Sequence, residues 1–361
     1  MPQKILFISQ RINDMSSGAR VVSRANLATL REALGEESVD VYEIRKKRGN
    51  PIRRHALKIG GFLDGLTPED VRRVTDIVQR DKIDTVYIDS SYFGKLAQGL
   101  RKASVKVRII VFYHDVLVHW WKETHGRNPL SFVANYLVYF ISERRCAFYA
   151  DRALVMTERD ASLLRNIYGM RNKPIDVTPL TVPDPVTDNY SGKTVGYDYL
   201  LFIGVDYKPN IDGLAWFLEH VQPRISLPLV IVGKGMDAYK DRFERESVRV
   251  IGAVEDLRPW YRDALACVIP LFAGSGMKVK TAEALSHGKR IYATDEGLIG
   301  YKVEGVDGIV RCNEANEFIA ALRELEGLNN PERFIEAIRD VYLRDHSPQA
   351  AVKKITSILH D

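Results

Sequence analysis

Short runs of β-branched and aromatic residues alternate along this chain with stretches whose apolar residues recur every three or four positions. Parallel strands joined by crossover helices produce that order. In the first half the runs fall at 5–9, 39–43, 85–88, 107–112, 153–156 and 176–178. Residues 19–34 have helical spacing, Pro68 stands at a helix start, and 130–149 reads as a long apolar helix. The alternation stops between 179 and 196, where Pro179, Pro183, Pro185, Asn189, Ser191, Gly192 and Gly196 gather turn chemistry with little to bury. Beyond it, strands are predicted at 199–203, 228–232, 248–251, 266–270, 290–293 and 308–311, with helices at 211–225, 238–246 and 278–287. Helical patterns at 314–326, 331–343 and 348–359 close the chain. The fold class is therefore α/β, with two successive open parallel sheets and a boundary near residue 183. Ligands of such sheets sit outside the carboxyl ends of the strands, and the expected site is the cleft that two of them leave.

Length agrees, since 361 residues make about two domains of ordinary size. Hydrophobic residues at 45% and charged residues at 27% exclude a disordered chain. Fifty-two basic against forty-seven acidic residues leave +5, too little to demand nucleic acid as a partner. Cys146, Cys267 and Cys312 are scattered without a CxxC pair, which argues against a disulfide framework or structural zinc and fits a reducing cytoplasm. The opening MPQKILFISQRIND lacks a signal-peptide core, and the apolar stretch 130–142 is interrupted by Asn135 and falls short of the roughly 20 residues a membrane span needs. One patch is locally basic: Arg45, Lys46, Lys47, Arg48, Arg53, Arg54 and Lys58 have no acidic residue among them. It is either a solvated loop or a docking surface for anionic lipid or an acceptor's phosphate. Trp120 and Trp121 suit a membrane interface, an acceptor sugar or a core.

The most informative segment is PLFAGSGMKVKTAEALSHGKRIYAT, 270–294, a buried strand, a Gly-Ser-Gly turn and a helix with basic residues in its first turn. Gly274 and Gly276 let backbone approach a ligand, and the helix start offers N–H groups and a positive dipole end to an anion. Lys278 and Lys280 oppose that dipole unless an anion such as a diphosphate neutralises them. Glu283, a turn beyond, has the acceptor-only chemistry that chelates vicinal hydroxyls such as those of a ribose. The plainer reading makes Gly-Ser-Gly a mere turn and Lys280 with Glu283 a surface pair. His114 lies at a predicted strand end, with Asp115 beside it and His119 and His125 nearby. No helical His pair and no Asp-x-Asp supports a metal site.

These motifs resemble the retaining nucleotide-sugar glycosyltransferases of the GT-B fold, family 4 type. KILFISQRINDMSSGAR, FYHDV, SERRCAFYADRALVMTERD, LLFIGVDYKPNIDGLAWF and GAVEDLRPWYRDALACVIPL look like that family in order. The resemblance implies two Rossmann-like domains, residues 1–183 for the acceptor and 184–345 for the donor nucleotide, with the last helix, about 346–361, returning to the first. By resemblance Glu283 is the second glutamate of the EX7E motif, on the donor ribose, while Ser275 stands where many members carry the first. His114 is similar to the histidine facing the donor sugar. Gly18 and Arg20 look like the glycine-containing loop near donor phosphate and acceptor, or are an ordinary turn. Lys208 is the sole basic candidate after the first strand of the second domain. Gly233 and Gly235 form a partial GxGxxG, read as a turn bordering the base, and Glu143 is read as structural.

The expected activity is a metal-independent, retaining hexosyl transfer from a nucleotide-diphosphate sugar to a saccharide or lipid-linked acceptor, without a cofactor. An anionic membrane surface is the expected further partner, and nucleic acid is not one. The rival readings are a sugar-nucleotide epimerase of the same fold and a non-catalytic protein that binds anions or nucleic acid.

Overall fold

Runs as apolar as LLFI and LVIV leave no face for water, so each strand must be covered by helices on both sides. The computed structural model describes residues 3–10, 12, 18–45, 50–124, 129–185 and 197–361. The chain divides into two compact units, Met1–Leu180 with Ala351–Asp361, and Thr181–Ala350. The division falls shortly before the expected boundary, and residues 186–196 of the expected linker lie outside the described residues.

In the first unit the chain runs β1 (Ile5–Gln10), α1 (Gly18–Leu34), β2 (Val39–Ile44), α2 (Pro51–Ile59), α3 (Pro68–Arg80), β3 (Thr85–Ile88), α4 (Gly94–Lys102) and β4 (Arg108–Tyr113). It continues through α5 (Leu117–Thr124), α6 (Pro129–Tyr149), β5 (Arg152–Val155), α7 (Glu158–Tyr168) and β6 (Ile175–Val177). All strands are parallel, in the order β2-β1-β3-β4-β5-β6. Ile8, Ile88, Val111 and Val155 are completely buried in its core. Glu143 of α6 is buried there as well. Its carboxylate accepts from the amides of Leu117 (2.8 Å) and Val118 (3.3 Å), capping α5, and from Tyr168 Oη (2.7 Å) and Ser91 Oγ (3.2 Å).

The second unit runs β7 (Leu200–Ile203), α8 (Lys208–His220), β8 (Leu229–Val232), α9 (Lys240–Phe243), β9 (Val248–Gly252), α10 (Arg258–Asp263) and β10 (Ala266–Ile269). Then come α11 (Val279–Ser286), β11 (Arg290–Ala293), β12 (Ile309–Arg311), α12 (Ala315–Glu326), α13 (Glu336–Asp345) and α14 (Pro348–His360). Its parallel order is β12-β11-β10-β7-β8-β9. From Ala351 onward α14 belongs to the first unit, where the Arg108 guanidinium donates to the carbonyls of Leu359 (2.9 Å) and Ile358 (3.0 Å) at its end. Those carbonyls have no partner within the helix, and a cation is the favoured group at that pole.

Each sheet has one place where the chain, after building outward, returns to build the other way: β1/β3 in the first unit and β7/β10 in the second. Crossover helices leave such neighbours on opposite faces, so a crevice opens at their carboxyl ends. Local differences from the expected elements have local causes. The helix expected at 211–225 starts at Lys208, with Pro209 in its first turn, and ends at His220 before a 3₁₀ turn containing Pro223. The helix expected at 238–246 is a 3₁₀ turn, Met236–Tyr239, and a single α turn, Lys240–Phe243. The basic stretch, read as either a solvated loop or a docking surface, contains a helix, α2, because Asn50 accepts from the amide of Ile52 (2.8 Å) and Pro51 fixes the first turn. Lys46, Lys47 and Arg48 lie outside the described residues.

The loops leaving β7 and β8 touch at glycine. Gly233 has φ +149°, and a Cβ there would sit 1.8 Å from the carbonyl oxygen of Gly204. Gly233→Ala is expected to cost about 2–4 kcal/mol, combining backbone strain with a backbone clash. Gly169→Ala, at φ +69° with open space around it, should lose only about 1 kcal/mol. Urea unfolding of the two variants compares them, and equal losses would mean that the Gly204 contact does not matter.

Candidate functional site

The β7/β10 crevice is where the second unit gathers its chemistry. After β10 the chain turns through Gly274 (φ +145°) and Gly276 (φ +63°) into α11, with Lys278 as its N-cap residue and no side-chain cap. Among the described residues no group accepts from the amides of Gly274, Ser275 or Gly276, and Ser275 Oγ is buried with no hydrogen-bond partner. From the first turn of α11, Lys280 reaches toward β7, its Nζ 2.9 Å from Asn210 Oδ1 and 4.4 Å from the centre of the Phe202 ring. Asn210 on α8 is oriented by its own amide, whose Nδ2 donates to the carbonyl of Val205 (2.9 Å) and so turns Oδ1 to the lysine. Glu283, one turn on, has Oε2 held by Tyr261 Oη (2.8 Å), and among the described residues no donor reaches Oε1.

Burial and the neighbouring Lys278 ammonium bring the Lys280 ammonium down to about 7, against the pull of Glu283. Burial pushes the Glu283 carboxyl up to about 7, opposed by Tyr261 and Lys280. An anion arriving at Lys280 near neutral pH would therefore meet an amine that is only partly protonated and takes up a proton as the anion binds. Lys278 differs from its expected role of awaiting an anion. It already has one, for its Nζ lies 2.8 Å from Glu296 Oε1 and also donates to the carbonyl of Gly276 (2.7 Å). The pair ties the glycine turn to the loop after β11. Lys208, the expected phosphate candidate, forms an exposed i, i+4 pair with Asp212 along α8, and it is Asn210 that meets Lys280. Gly233 and Gly235 shape the meeting of two loops, at Gly204 and at Asp206.

In the first unit the β1/β3 crevice centres on Asp89, 1% exposed, directly after β3. Its Oδ2 accepts from Ser9 Oγ (2.8 Å) and its Oδ1 from Asn26 Nδ2 (3.0 Å). His114, directly after β4, places Nε2 3.0 Å from the carbonyl oxygen of Asp89 and 3.5 Å from its Oδ1. A carbonyl only accepts, so Nε2 carries the proton and Nδ1, buried and without a hydrogen-bond partner, is the nitrogen left for a ligand. Burial disfavours the imidazolium, but the Asp89 carboxylate outweighs it and holds His114 above its ordinary value. The carboxylate nearest His114 is that of Asp89, distant in sequence, rather than that of the adjacent Asp115. Gly18 and Arg20 open α1 beside this crevice.

Other candidates lie apart. Trp120 and Trp121 are half-buried between α5 and α6, with the Trp121 ring 5.5 Å from that of Tyr139 and its Nε1 donating to the carbonyl of Phe132 (3.1 Å). Among the described residues no three His, Cys, Asp or Glu side chains come together as a metal site, and His125 lies outside them. Asp89, Asn210, Tyr261 and Glu296 were not singled out from the sequence. Asp89 alone had a signal, a carboxylate directly after a buried strand.

The Glu283 carboxyl is raised from 4.5 to about 7 in the fold. Its contribution to stability is therefore full below 4.5 and is lost as the pH climbs to 7. Glu283→Gln is expected to gain about 2 kcal/mol on the wild type at pH 8 and almost nothing at pH 4.5, measured by urea unfolding. The same difference at both values would mean that the carboxylate ionises normally.

The described geometry can be compared with known proteins. The family model for glycosyl transferases group 1 matches residues 197–327, and that for the glycosyl transferase 4-like domain matches residues 17–181. No curated protein sequence matches. Among solved structures, a sucrose-phosphate synthase from Thermosynechococcus elongatus superposes with a TM-score of 0.73 at 14% identity, covering 99% of this chain and 98% of that one. HepE of Anabaena in complex with UDP gives 0.68 at 13%, over 99% and 100% of the two chains. The lipopolysaccharide outer core galactosyltransferase WaaB gives 0.62 at 15%, over 99% of each. Both units are spanned by the two family models, and both sheets have the Rossmann-like order of these neighbours: the chain belongs to the group 1, family 4-type glycosyltransferases of the GT-B fold.

Proposed function

We propose that this glycosyltransferase moves a sugar from a nucleoside-diphosphate donor to a hydroxyl of a saccharide or lipid-linked acceptor, without a metal and with retention of the anomeric configuration. The observation that carries this reading is the Lys280–Glu283 pair at the β7/β10 crevice, a half-covered ammonium and a carboxylate with one oxygen unclaimed, one turn apart beside a glycine turn with open amides. Leaving a sugar, the diphosphate gathers negative charge. Amides and an ammonium fixed in place stabilise that charge without reorganising, so they can take the part a divalent cation plays elsewhere. Glu283 Oε1 would accept from the ribose hydroxyls. His114 Nδ1 would orient a sugar hydroxyl, with Asp89 holding the ring through Nε2. Retention rests on the resemblance around Glu283. The solved complexes of HepE with UDP and UDP-glucose make uridine the first nucleotide to try.

Stabilisation by uridine, guanosine and adenosine diphosphates in a thermal-shift panel identifies the base, because a ligand that binds only the native state raises its stability. Glu283→Ala is expected to weaken the diphosphate that binds by about 1.5–3 kcal/mol, and the wild type to discriminate against its 2′,3′-dideoxy analogue. Equal binding of both analogues would remove Glu283 from the ribose. Because Lys280 must be protonated in the complex, affinity should fall up to about tenfold per pH unit between roughly 7.5 and 9, with proton uptake in calorimetry. Lys280→Ala should abolish that uptake, and affinity independent of pH would place the phosphates elsewhere.

Transfer should persist in excess EDTA, and proton NMR of the early product should show the donor's anomeric configuration. Loss of activity in EDTA restored by Mg²⁺ would overturn the metal-free reading, and an inverted linkage would assign His114 to base catalysis. Product formed without any acceptor would favour the epimerase.

A further inference from the structure

Glu283 belongs to a closed set of three side chains. Its Oε2 accepts from Tyr261 Oη of α10 at 2.8 Å. The Tyr261 ring, 1% exposed, lies nearly flat against the imidazole of His287, with ring centres 4.6 Å apart and planes 17° from parallel. His287 directly follows α11 and turns its Nδ1 to the carbonyl oxygen of Glu283, 2.9 Å away. The backbone of Glu283 thus orients the imidazole, the imidazole seats the phenol ring, and the phenol returns to the carboxylate of Glu283.

The protons of this set are assigned by what each atom can accept. A carbonyl only accepts, so His287 Nδ1 carries a hydrogen, and Nε2 is buried without a hydrogen-bond partner. Burial holds His287 down at about 4, and its ring is therefore neutral near neutral pH. Tyr261 has one hydrogen and two acceptors in reach, the Lys280 carbonyl at 3.4 Å and Glu283 Oε2 at 2.8 Å, and the nearer one takes it. A glutamate turns easily about its last bond and presents either oxygen. Here Oε2 is anchored inside the protein, and Oε1, which no donor reaches among the described residues, keeps both lone pairs for a ligand.

We propose that Tyr261, seated by His287, is the positioning residue that aims Glu283 Oε1 at the donor's ribose hydroxyls and so makes the enzyme prefer a ribonucleotide to its deoxy counterpart. The proposal rests on the reading that places the ribose at Glu283. It extends the donor site from α11 to α10, through a residue 22 positions earlier in the chain.

The anchor acts on charge as well as on aim. Burial raises the Glu283 carboxyl to about 7, and the hydrogen bond from Tyr261 is the foremost influence opposing it. Without that bond the carboxyl holds its proton to higher pH and offers the ribose a poorer acceptor. The other titratable groups that face it are Lys280 on α11, Cys267 on β10 and Tyr301 after β11. Burial keeps Cys267, Tyr261 and Tyr301 protonated to well above neutral pH. Lys280 acts alike on any two ligands that carry the same diphosphate, so their affinity ratio reports on Glu283.

The test is calorimetric binding of a nucleoside diphosphate and its 2′,3′-dideoxy analogue to the full chain from about pH 6 to 8.5, with uridine diphosphate first and guanosine and adenosine diphosphates after it. The wild type is expected to prefer the ribonucleotide. Y261F should lose about fivefold of that preference at pH 7, the effect of a carboxyl raised by about one pH unit, and less near pH 8.5, where the carboxylate ionises again. Its affinity for the dideoxy analogue should stay at the wild-type value. H287A, which keeps the hydroxyl but not its seat, should lose a smaller part of the preference, and it decides the matter if Y261F does not fold. Full preference in the variants at every pH, or a loss of equal factor for both analogues, overturns the proposal and leaves Glu283 on the ribose. A wild type that binds both analogues alike, or none of the three diphosphates, removes the ribose reading and the proposal together.

Discussion

Everything chemical in this protein follows from a restriction on parallel sheets: a strand cannot be followed directly by its parallel neighbour, so a crossover must carry the chain back to the starting edge. When a sheet grows first to one side and then to the other, the two innermost crossovers depart on opposite faces. No backbone then fills the gap above the central pair of strands. In the second unit that pair is β7 and β10, and the helices that follow them supply Asn210 and Lys280. In the first unit it is β1 and β3, with Asp89 at the rim and Ser9 and Asn26 holding its carboxylate. The chain applies one rule twice and equips the two crevices differently, with a lysine and a glutamate in one and an aspartate–histidine pair in the other.

The two crevices are also supported in different ways. Asp89 is held by Ser9 and Asn26 and fixed, and it raises the proton affinity of its neighbour His114. Lys280 and Glu283 are less well provided for. Each has one fixed partner, Asn210 or Tyr261, and each is held at the edge of losing its charge by burial. Groups in that condition are destabilising until something of opposite character arrives, and such groups concentrate at functional sites for this reason. Lys278 shows the contrast. Two residues earlier in the same chain, it is fully paired with Glu296 and serves to shape the turn.

Much of the fold was legible because buried parallel strands write themselves as short uninterrupted apolar runs, and β3, β7 and β8 are of this kind. Helices with weak or mixed patterns were harder. Helix α2 reads as a charge run, and only Asn50 and Pro51 at its start reveal it. For the site, the strand, turn and helix around Gly274–Glu283 are contiguous and could be read directly. Tyr261 and Asn210 come to Glu283 and Lys280 across 22 and 70 positions, and His114 finds Asp89 across 25. Spacing along a sequence carries no trace of such meetings, which are set by strand order.

The last helix has a consequence for how the protein is made. Residues 351–361 complete the first unit, and the Arg108 guanidinium has its carbonyl partners only when Ile358 and Leu359 are present. The unit that contains residues 1–180 therefore cannot be finished until residues 351–361 have been made, after the whole of the second unit between them. The middle of the chain can close on itself during translation, while the earlier-made part must wait. A chain cut short before residue 351 would therefore damage the first unit rather than the second, although the cut falls beside the second.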